Sequence, residues 1–184
     1  MSRLVCVTGR FQPVHEQHLE LFAIALRDAG HLIVAVTNPD REARQEEPAS
    51  AHRHLPEANP FTYFERVRLL RAALAARGWT RRTTIVPFDL TRPACWPDYV
   101  PAHTRHLVRA YSDWERRKVD LLRDAGYPVT VIDGDPAAKI SATDIRARLH
   151  EDHAVWSGLV PEAVAPVLAE LLAARTPEHT GDEG

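Results

Sequence analysis

Short runs of apolar and β-branched residues recur along the chain, and stretches with the spacing of amphipathic helices separate them. The runs predict strands at 3–9, 31–37, 83–88, 106–111 and 128–133. Strands that alternate with helices build βαβ units, and strands without polar alternation are buried on both faces. The sequence therefore predicts an α/β fold with an open parallel sheet and helices on both faces.

Capping signals mark where several of the intervening helices begin. Thr62 and Glu65 have the spacing of a capping box, and so do Ser112 and Glu115. The predicted helices cover 17–29, the residues after Thr62, the residues from Ser112 to about Asp124, those after Ser141, and 160–174.

Length and composition fit one domain. The chain has 184 residues, of which 45% are hydrophobic, so it can bury a substantial core. We expect the domain to cover 1–175 and the polar residues 176–184 to form a flexible tail. Residues 39–59 are polar and contain proline, which predicts a long loop of a kind that is often functional.

Charge and hydropathy exclude several classes of protein. The net charge of −2 and the lack of a basic stripe with interleaved aromatic residues argue against nucleic-acid binding. No apolar stretch approaches the roughly 20 residues of a membrane span. Two cysteines do not make a disulfide framework, and the N-terminus does not resemble a signal peptide. We therefore expect a cytoplasmic protein without membrane or nucleic-acid partners.

The first strand leads directly into the motif GRFQPVHEQH, residues 9–18. In open α/β sheets ligands bind at the carboxyl ends of the strands, where this motif begins. Gly9 allows a tight exit from the strand, and the guanidinium of Arg10 suits phosphate oxygens. His15 and His18 share one face at a helix start, which attracts anions. The pattern predicts a polyphosphate site, and no third ligand accompanies the histidines to complete a zinc site.

A second motif, ISATDIR at 140–146, repeats this chemistry near the other end of the chain. Ser141 and Thr143 offer hydroxyl groups at a helix start, and Arg146 follows on the same face. Alone, the motif fits an ordinary capped helix with a solvated arginine equally well. Together with the first motif it predicts two helix starts that hold one triphosphate.

Both motifs match the two signatures of a known superfamily. GRFQPVHEQH resembles GRFQPxHxGH, and ISATDIR resembles ISxTxIR. Three further segments, NPFTYFER (59–66), VPFDLTRPACW (86–96) and DLLRDAGYPV (120–129), extend the match over nearly the whole chain. The chain thus resembles the HxGH-type nucleotidyltransferases, and among them the archaeal-type nicotinamide mononucleotide (NMN) adenylyltransferases.

The resemblance implies a Rossmann-like nucleotidyltransferase fold and an enzyme that moves a nucleoside monophosphate from a triphosphate to a phosphorylated acceptor, with release of pyrophosphate. It also implies Mg²⁺, held mostly by phosphates and water, and a possible homo-oligomer. The implied catalytic residues are His15, His18, Arg10 and Arg146. The implied nucleotide-binding residues are Gly9, Arg10, Phe11, Gln12, His15, Gln17, His18, Ser141, Thr143 and Arg146. The implied acceptor-binding residues are Asp89, Arg92 and Trp96.

Two departures from the family pattern lie near the nucleotide. Gln17 replaces the glycine between the histidines, where the family lets the nucleotide lie close to the helix. Its side chain must point elsewhere or contact the base or ribose. Asp113 and Trp114, in YSDWERR, replace part of a segment that usually reads YSGNPLV.

Two more departures concern a phosphate contact and the acceptor. Ala58 stands where relatives often have a basic residue, and Pro93 stands where they have an asparagine that helps to hold nicotinamide. Trp96 either stacks on a ring or fills the core, and Arg92 either pairs with an acceptor anion or lies in a surface ion pair. Either one of His52, Arg53 and His54 replaces the missing basic residue, or the three belong to a mobile polar loop.

Three hypotheses follow. The leading one is an adenylyltransferase that uses ATP and an NMN-like acceptor. The second is a cytidylyltransferase that uses CTP and a small phosphate or phosphonate. The third is a non-catalytic nucleotide-binding module, which the retention of both motifs disfavours.

Overall fold

The computed structural model describes residues 3–46 and 53–175 and contains a five-stranded, fully parallel sheet in the order β3-β2-β1-β4-β5. Each strand lies within one residue of its predicted position, and the predicted open parallel sheet is confirmed. The strands are β1 (Leu4–Gly9), β2 (His31–Thr37), β3 (Thr83–Phe88), β4 (Arg105–Ala110) and β5 (Val129–Asp133).

Helices connect the strands and close the chain. They are α1 (Glu16–Asp28), α2 (Tyr63–Ala76), α3 (Asp113–Asp124), α4 (Ala142–Arg148), α5 (His153–Trp156) and α6 (Ala165–Ala173). Within the described ranges, no helix combines the length and the apolar character needed to cross a bilayer. The predicted tail at 176–184, His52 and the middle of the predicted 39–59 loop lie outside the described residues.

Two helix starts differ from the prediction. Ser112 precedes α3, but its hydroxyl group bonds the carboxylate of Glu115 instead of capping the helix. The last helix begins at Ala165, because Pro166 has no N–H to donate and residues 161–164 form a turn in which Val164 N–H donates to Pro161 at 2.8 Å. The capping box of Thr62 and Glu65 is confirmed, with bonds of 2.7 and 3.3 Å between them.

Alternate residues of the strands face two separate cores. Val34 and its same-face neighbours pack against α1, α2, α4 and α6. Ala35 and its same-face neighbours pack against α3 and the turn at Pro93–Asp98. Helices therefore cover both faces, and α1 and α3 lie on opposite sides of the sheet.

The sheet opens at its carboxyl edge between β1 and β4. The pairing of β1 with β2 runs to Gly9 and Val36, whereas the pairing of β1 with β4 ends at Cys6 and His106. Crossovers from these two strands run in opposite directions, which is the arrangement that creates a ligand crevice. The gap beyond Cys6 positions the site described below.

One histidine in the second core makes no polar contact. His106 is fully buried between Phe88 and Tyr127, at ring-centroid distances of 6.1 and 4.8 Å. Within the described part of the chain, neither of its ring nitrogens has a hydrogen-bond partner. Burial, with a smaller effect from the charge of Lys118, lowers the pKa of His106 to about 3.

Acid should therefore destabilise the fold through His106. Between its ordinary value near 6.5 and its lowered pKa, the unfolded state binds a proton that the folded state does not. Moving from about pH 7.5 to about pH 5.5 should cost about 1.4 kcal/mol of unfolding free energy for this group alone. Urea titrations at both pH values should show that His106→Leu removes this part of the loss. The exposed His150→Gln control should keep the wild-type difference, and an unchanged His106→Leu difference would contradict this account.

Candidate active site

A cleft of about 410 Å³ lies at the carboxyl edge of the sheet, in the gap between β1 and β4. Val7 and Thr8 of β1 and Leu107 and Val108 of β4 line its floor. The ten nucleotide-binding residues that the resemblance implied all line it: Gly9, Arg10, Phe11, Gln12, His15, Gln17, His18, Ser141, Thr143 and Arg146. The fold thus brings the two motifs, which lie far apart in the sequence, to one place.

The turn after β1 places the ring of Phe11 against His18. Phe11 has a φ of 51° and is only 2% exposed. Its ring packs edge-on against His18 at 4.8 Å and against Phe22 at 5.8 Å. A Cβ on Gly9 would lie 2.9 Å from the Phe11 ring, so glycine at this position lets the ring reach its site. Phe11 therefore orients the histidine, with little of its own surface left for a ligand.

His15 and His18 form a stacked pair at the start of α1. Their ring centroids lie 3.7 Å apart, with 29° between the ring planes. The backbone N–H of His15 donates to Nδ1 of His18 at 3.2 Å. Because Nδ1 accepts, the neutral His18 ring carries its proton on Nε2, where it can be donated to a ligand.

Both imidazoles are neutral near pH 7. Burial, and then the charge of Lys139, lowers the pKa of His15 to about 4. Burial, and then the charges of His15 and Lys118, holds the pKa of His18 well below its ordinary value. A polyanion beside the pair would favour the protonated forms, so triphosphate binding and proton uptake are coupled here.

The second motif is bonded directly to the first. Arg146 donates from Nη1 to the carbonyl of Gln12 and from Nη2 to the hydroxyl group of Thr143, each at 2.9 Å. Ser141 caps α4 by accepting from the N–H of Asp144 at 3.3 Å. These contacts fix Arg146, Thr143 and Ser141 at the cleft wall on the α1 side of the sheet.

Gln12 holds the loop that follows β2. Its buried side chain donates to the carbonyl of Phe61 and accepts from the Phe61 N–H, both at 2.9 Å. The side-chain amide is therefore committed to the protein, although the residue lines the cleft.

Arg66 organises the same edge of the sheet, a role that the sequence did not reveal. Its guanidinium is fully buried and donates to the carbonyls of Arg10 and Thr37 at 2.9 and 2.7 Å, and to those of Asn38 and Thr62 at 2.7 and 3.3 Å. It thus ties α2 to the residues that follow β1 and β2. An arginine in the first turns of a helix is usually solvated, so only the three-dimensional structure identifies it.

Gln17 connects α1 to the segment before the second motif. Its amide nitrogen donates to the carbonyl of Ala138 at 2.6 Å. Its amide oxygen accepts from the N–H of Ile140 at 2.8 Å and from the hydroxyl group of Tyr111 at 3.3 Å. The side chain that replaces glycine therefore spans the cleft wall and fixes residues 138–140.

The implied acceptor residues do not line the cleft. Trp96 is 1% exposed, stacks on Phe88 at 5.0 Å and donates its indole N–H to the carbonyl of Asp89 at 2.6 Å. The Asp89 carboxylate accepts from the N–H and the hydroxyl group of Thr91, and Arg92 is exposed. In this structure Trp96 fills the core, because the turn at Pro93–Asp98 folds its ring beneath the edge of the sheet.

The opposite wall of the cleft is formed by side chains that the sequence did not indicate for this role. Lys118 of α3 is 9% exposed and donates to the carbonyl of Thr8 at 3.2 Å, at a point where β1 no longer pairs with β4. The guanidinium of Arg53 lies 4.6 Å above the ring of Trp114. Of the three replacements considered for the missing basic residue, Arg53 lines the cleft and His54 does not.

The cleft is strongly cationic. Among the described residues that line it, Glu115 carries the only carboxylate, and it is bonded to Lys139 at 3.3 Å and to Ser112. The cationic residues of the lining are Arg10, Arg53, Arg109, Lys118, Lys139 and Arg146. Such a surplus of positive charge fits a ligand with several negative charges. No group of three or more metal-ligating side chains occurs in residues 3–46 and 53–175.

Comparison with known proteins identifies the family. A family described as cytidylyltransferase-like matches residues 6–148, which include both motifs. The chain belongs to the cytidylyltransferase-like family. It is thus a nucleotidyltransferase, as its sequence predicted. The resemblance to archaeal-type NMN adenylyltransferases is also confirmed, because one of the relatives described next is such an enzyme.

Two relatives and one solved structure illustrate the match. The phosphonoformate cytidylyltransferase of Streptomyces viridochromogenes is 36% identical over 165 residues, which cover 89% of each chain. The nicotinamide-nucleotide adenylyltransferase of Thermococcus onnurineus is 30% identical over 164 residues, covering 89% of this family member and 80% of the relative. A bifunctional NMN adenylyltransferase/ADP ribose pyrophosphatase from Francisella tularensis shares the fold, with a TM-score of 0.63 and 15% identity over 95% of this chain, which spans about half (51%) of that protein.

Proposed function

We propose that this nucleotidyltransferase is a cytidylyltransferase that transfers CMP from CTP to a small phosphonate and releases pyrophosphate. The observation that carries the proposal is the character of the cleft wall opposite the histidines. That wall presents the ammonium of Lys118 and the guanidinium of Arg53, and Arg53 covers the ring of Trp114.

An NMN acceptor would need a slot for its nicotinamide ring. Trp96, the residue implied for that purpose, is 1% exposed in the core. Trp114 is 7% exposed, and Arg53 covers its ring. Buried aromatic faces cannot stack on a substrate without repacking, whereas the cations suit a compact acid.

Gln17 supports a pyrimidine base. Its side chain fills space that a glycine would leave open between α1 and residues 138–140, and its amide is bonded to both Ala138 and Ile140. A cleft narrowed in this way favours the smaller ring of cytosine over the double ring of adenine.

The sequence identities to the two kinds of relative also favour a cytidylyltransferase. The relative named as a phosphonoformate cytidylyltransferase shares 36% identity with this chain, and the adenylyltransferase of Thermococcus onnurineus shares 30%. The sequence favoured ATP over CTP as the nucleotide substrate. Because Trp96 lies in the core, our proposal favours CTP.

The chemistry is an in-line displacement at the α-phosphorus of CTP. An oxygen of the acceptor phosphonate forms a bond to that phosphorus, the bond to the β-phosphate bridging oxygen breaks, and pyrophosphate leaves with the electron pair. Such reactions depend on positioning and charge stabilisation, and no covalent enzyme intermediate is needed.

The residues of the two motifs have distinct roles in this proposal. His18 donates from Nε2 to the phosphate on which charge develops, with His15 stacked beside it. Arg146, Thr143 and Ser141 hold the leaving pyrophosphate from the start of α4.

Mg²⁺ fits the proposal as an ion that arrives with the triphosphate. The cleft offers a single carboxylate among its described residues, Glu115, which Lys139 already engages. Mg²⁺ typically binds through substrate phosphates and water and neutralises charge on the leaving group. The proposal keeps the cytoplasmic location predicted from the sequence, since CTP and Mg²⁺ are available there.

Pyrophosphate release tests the proposal. The protein is incubated with Mg²⁺, each of the four nucleoside triphosphates in turn, and either phosphonoformate or NMN. We expect release with CTP and phosphonoformate. Release that requires ATP and NMN would instead support the adenylyltransferase hypothesis, and no release with any pair would support the non-catalytic binding module.

The role of Gln17 in base choice can be tested separately. Gln17→Gly removes the side chain that narrows the cleft, so the ratio of kcat/KM for CTP to that for ATP should fall by about 10-fold, which corresponds to about 1.4 kcal/mol. Gln17→Glu keeps the size of the side chain but cannot donate to Ala138, so it should weaken nucleotide binding without changing base preference. An equal shift in both variants would contradict a steric role.

A further inference from the structure

Lys118 and Arg53 lie in the cleft but take no part in the triphosphate site described above. Lys118 projects from α3, and Arg53 comes from the loop after β2. The sheet separates α3 from α1 and α4, because α1 and α4 belong to the first core and α3 to the second. Lys118 therefore faces the cleft from the side opposite His15, His18 and Arg146, and the guanidinium of Arg53 lies against Trp114 of the same helix α3.

This placement matters for an in-line reaction. The attacking oxygen and the leaving pyrophosphate must lie on opposite sides of the α-phosphorus. With pyrophosphate held from the α1 and α4 side, the acceptor approaches from the α3 side. Lys118 and Arg53 are cations on that side, and the end of β1 that no longer pairs with β4 lies beside Lys118.

Both side chains keep donors available for a ligand. An ammonium has three N–H donors, and Lys118 uses one of them for the carbonyl of Thr8. Among the described residues, the guanidinium of Arg53 contacts the Trp114 ring and donates no hydrogen bond to the protein. Its backbone carbonyl accepts from Arg10, Asn38 and Asn59, which fixes the residue in place independently of its side chain.

The electrostatics agree with a site for an anion. Burial, and then the charge of Arg53, lowers the pKa of Lys118 to about 8, and Glu115 offsets this only in part. Glu115 is itself engaged by Lys139 at 3.3 Å and by Ser112. An acid group bound beside both side chains would oppose the effect of Arg53 and favour the charged form of Lys118.

We propose that Lys118 and Arg53 bind a second acid group of the acceptor, so that the preferred acceptor is a small phosphonate that also carries a carboxylate. This inference rests on the proposed transfer to a phosphonate and adds the residues that choose among phosphonates. The phosphonate itself reaches the α-phosphorus of the nucleotide, and its carboxylate lies against the α3 wall.

The test compares two acceptors in two variants. Phosphonoformate carries a phosphonate and a carboxylate, and methylphosphonate carries the phosphonate alone. Lys118→Met should lower kcat/KM for phosphonoformate by about 10- to 100-fold, the range for loss of a hydrogen bond between charged groups. The same variant should change kcat/KM for methylphosphonate, and KM for CTP, by less than about 3-fold. Arg117→Met, at an exposed position of α3 next to Lys118, is the matched control and should resemble the wild type on both acceptors.

Controls separate this role from a structural one. Arg53→Met leaves the backbone contacts of the loop in place and should reproduce the selective loss if Lys118→Met does not fold. Calorimetric titration with CTP and Mg²⁺ should show unchanged nucleotide affinity in the variants. Equal losses on both acceptors, or no loss on phosphonoformate, would overturn the inference.

The outcome is also distinguishable from failure of the proposed function. If the wild-type protein turns over a different pair of substrates, the transfer proposal fails. Binding of phosphonoformate is then measured by titration in the presence of a non-hydrolysable analogue of the triphosphate that is used. Binding that Lys118→Met weakens about 10-fold or more supports the acid-binding site, and absence of binding to the wild type overturns it.

Discussion

Replacing His18 with alanine should lower kcat by roughly 100- to 1,000-fold while the fold is retained. His18 is the member of the stacked pair whose Nε2 proton is available, because Nδ1 accepts from the His15 N–H at 3.2 Å. The interaction strengthens as charge develops on the phosphates, so its loss should appear in kcat more than in KM for the nucleotide. Steady-state pyrophosphate release measures both parameters.

A second variant distinguishes chemistry from damage to the helix start. In His18→Asn the side-chain oxygen can take the place of Nδ1 and still accept from His15, but nothing replaces Nε2. We expect His18→Asn to lose as much turnover as His18→Ala, with thermal stability close to the wild type. Near-normal turnover in either variant would contradict the assignment of His18.

Replacing Arg66 with methionine should have the largest effect on stability. The change would leave four carbonyl groups, those of Arg10, Thr37, Asn38 and Thr62, without the donor that they now share. Buried acceptors that lose their partner cost about 1–3 kcal/mol each, and water can reach some of them, so we expect a loss of roughly 4 kcal/mol in unfolding free energy. Urea denaturation measures this loss.

Arg68→Met is the control on the same helix. Arg68 pairs with Glu170 at 2.8 Å at the surface, where their side chains are 34% and 65% exposed. Exposed pairs of this kind contribute at most about 1 kcal/mol, so the variant should remain close to the wild type. Similar losses in the two variants would show that Arg66 does not have the organising role assigned to it.

The sequence predicted the sheet because its signals are local. Runs such as 31–37 are buried on both faces, and their apolar character alone indicates central strands. The two motifs were also recognisable, because His15, His18 and Arg146 occupy fixed spacings at helix starts. Their convergence on one cleft follows from the parallel sheet, whose carboxyl ends share an edge.

The α3 wall of the cleft could not be predicted in this way. Lys118 bonds the carbonyl of Thr8, which is 110 positions away in the sequence, and it does so only because β1 and β4 separate beyond Cys6. Its spacing of four residues from both Trp114 and Leu122 places Lys118 on the apolar face of α3, but only the structure shows the partner that it bonds. Trp96 shows the converse limit, since its spacing matches a ring-binding tryptophan while the turn around it directs the ring into the core.

Gln17 is an intermediate case, in which the sequence predicted part of the outcome. The sequence showed that the residue departs from the family pattern and that its side chain needs a partner. The partners themselves, the backbone of Ala138 and Ile140, come from the close packing of α1 against the segment before α4. A departure within a motif is thus visible in the sequence, and its consequence depends on tertiary structure.

The central claim, that this cleft transfers CMP to a phosphonate, is tested most directly by competition in a single reaction. The protein is mixed with Mg²⁺ and equal concentrations of CTP, ATP, phosphonoformate and NMN, and the products are identified by mass spectrometry. We predict that the anhydride of CMP and phosphonoformate is the main product. NAD⁺ as the main product would contradict the account.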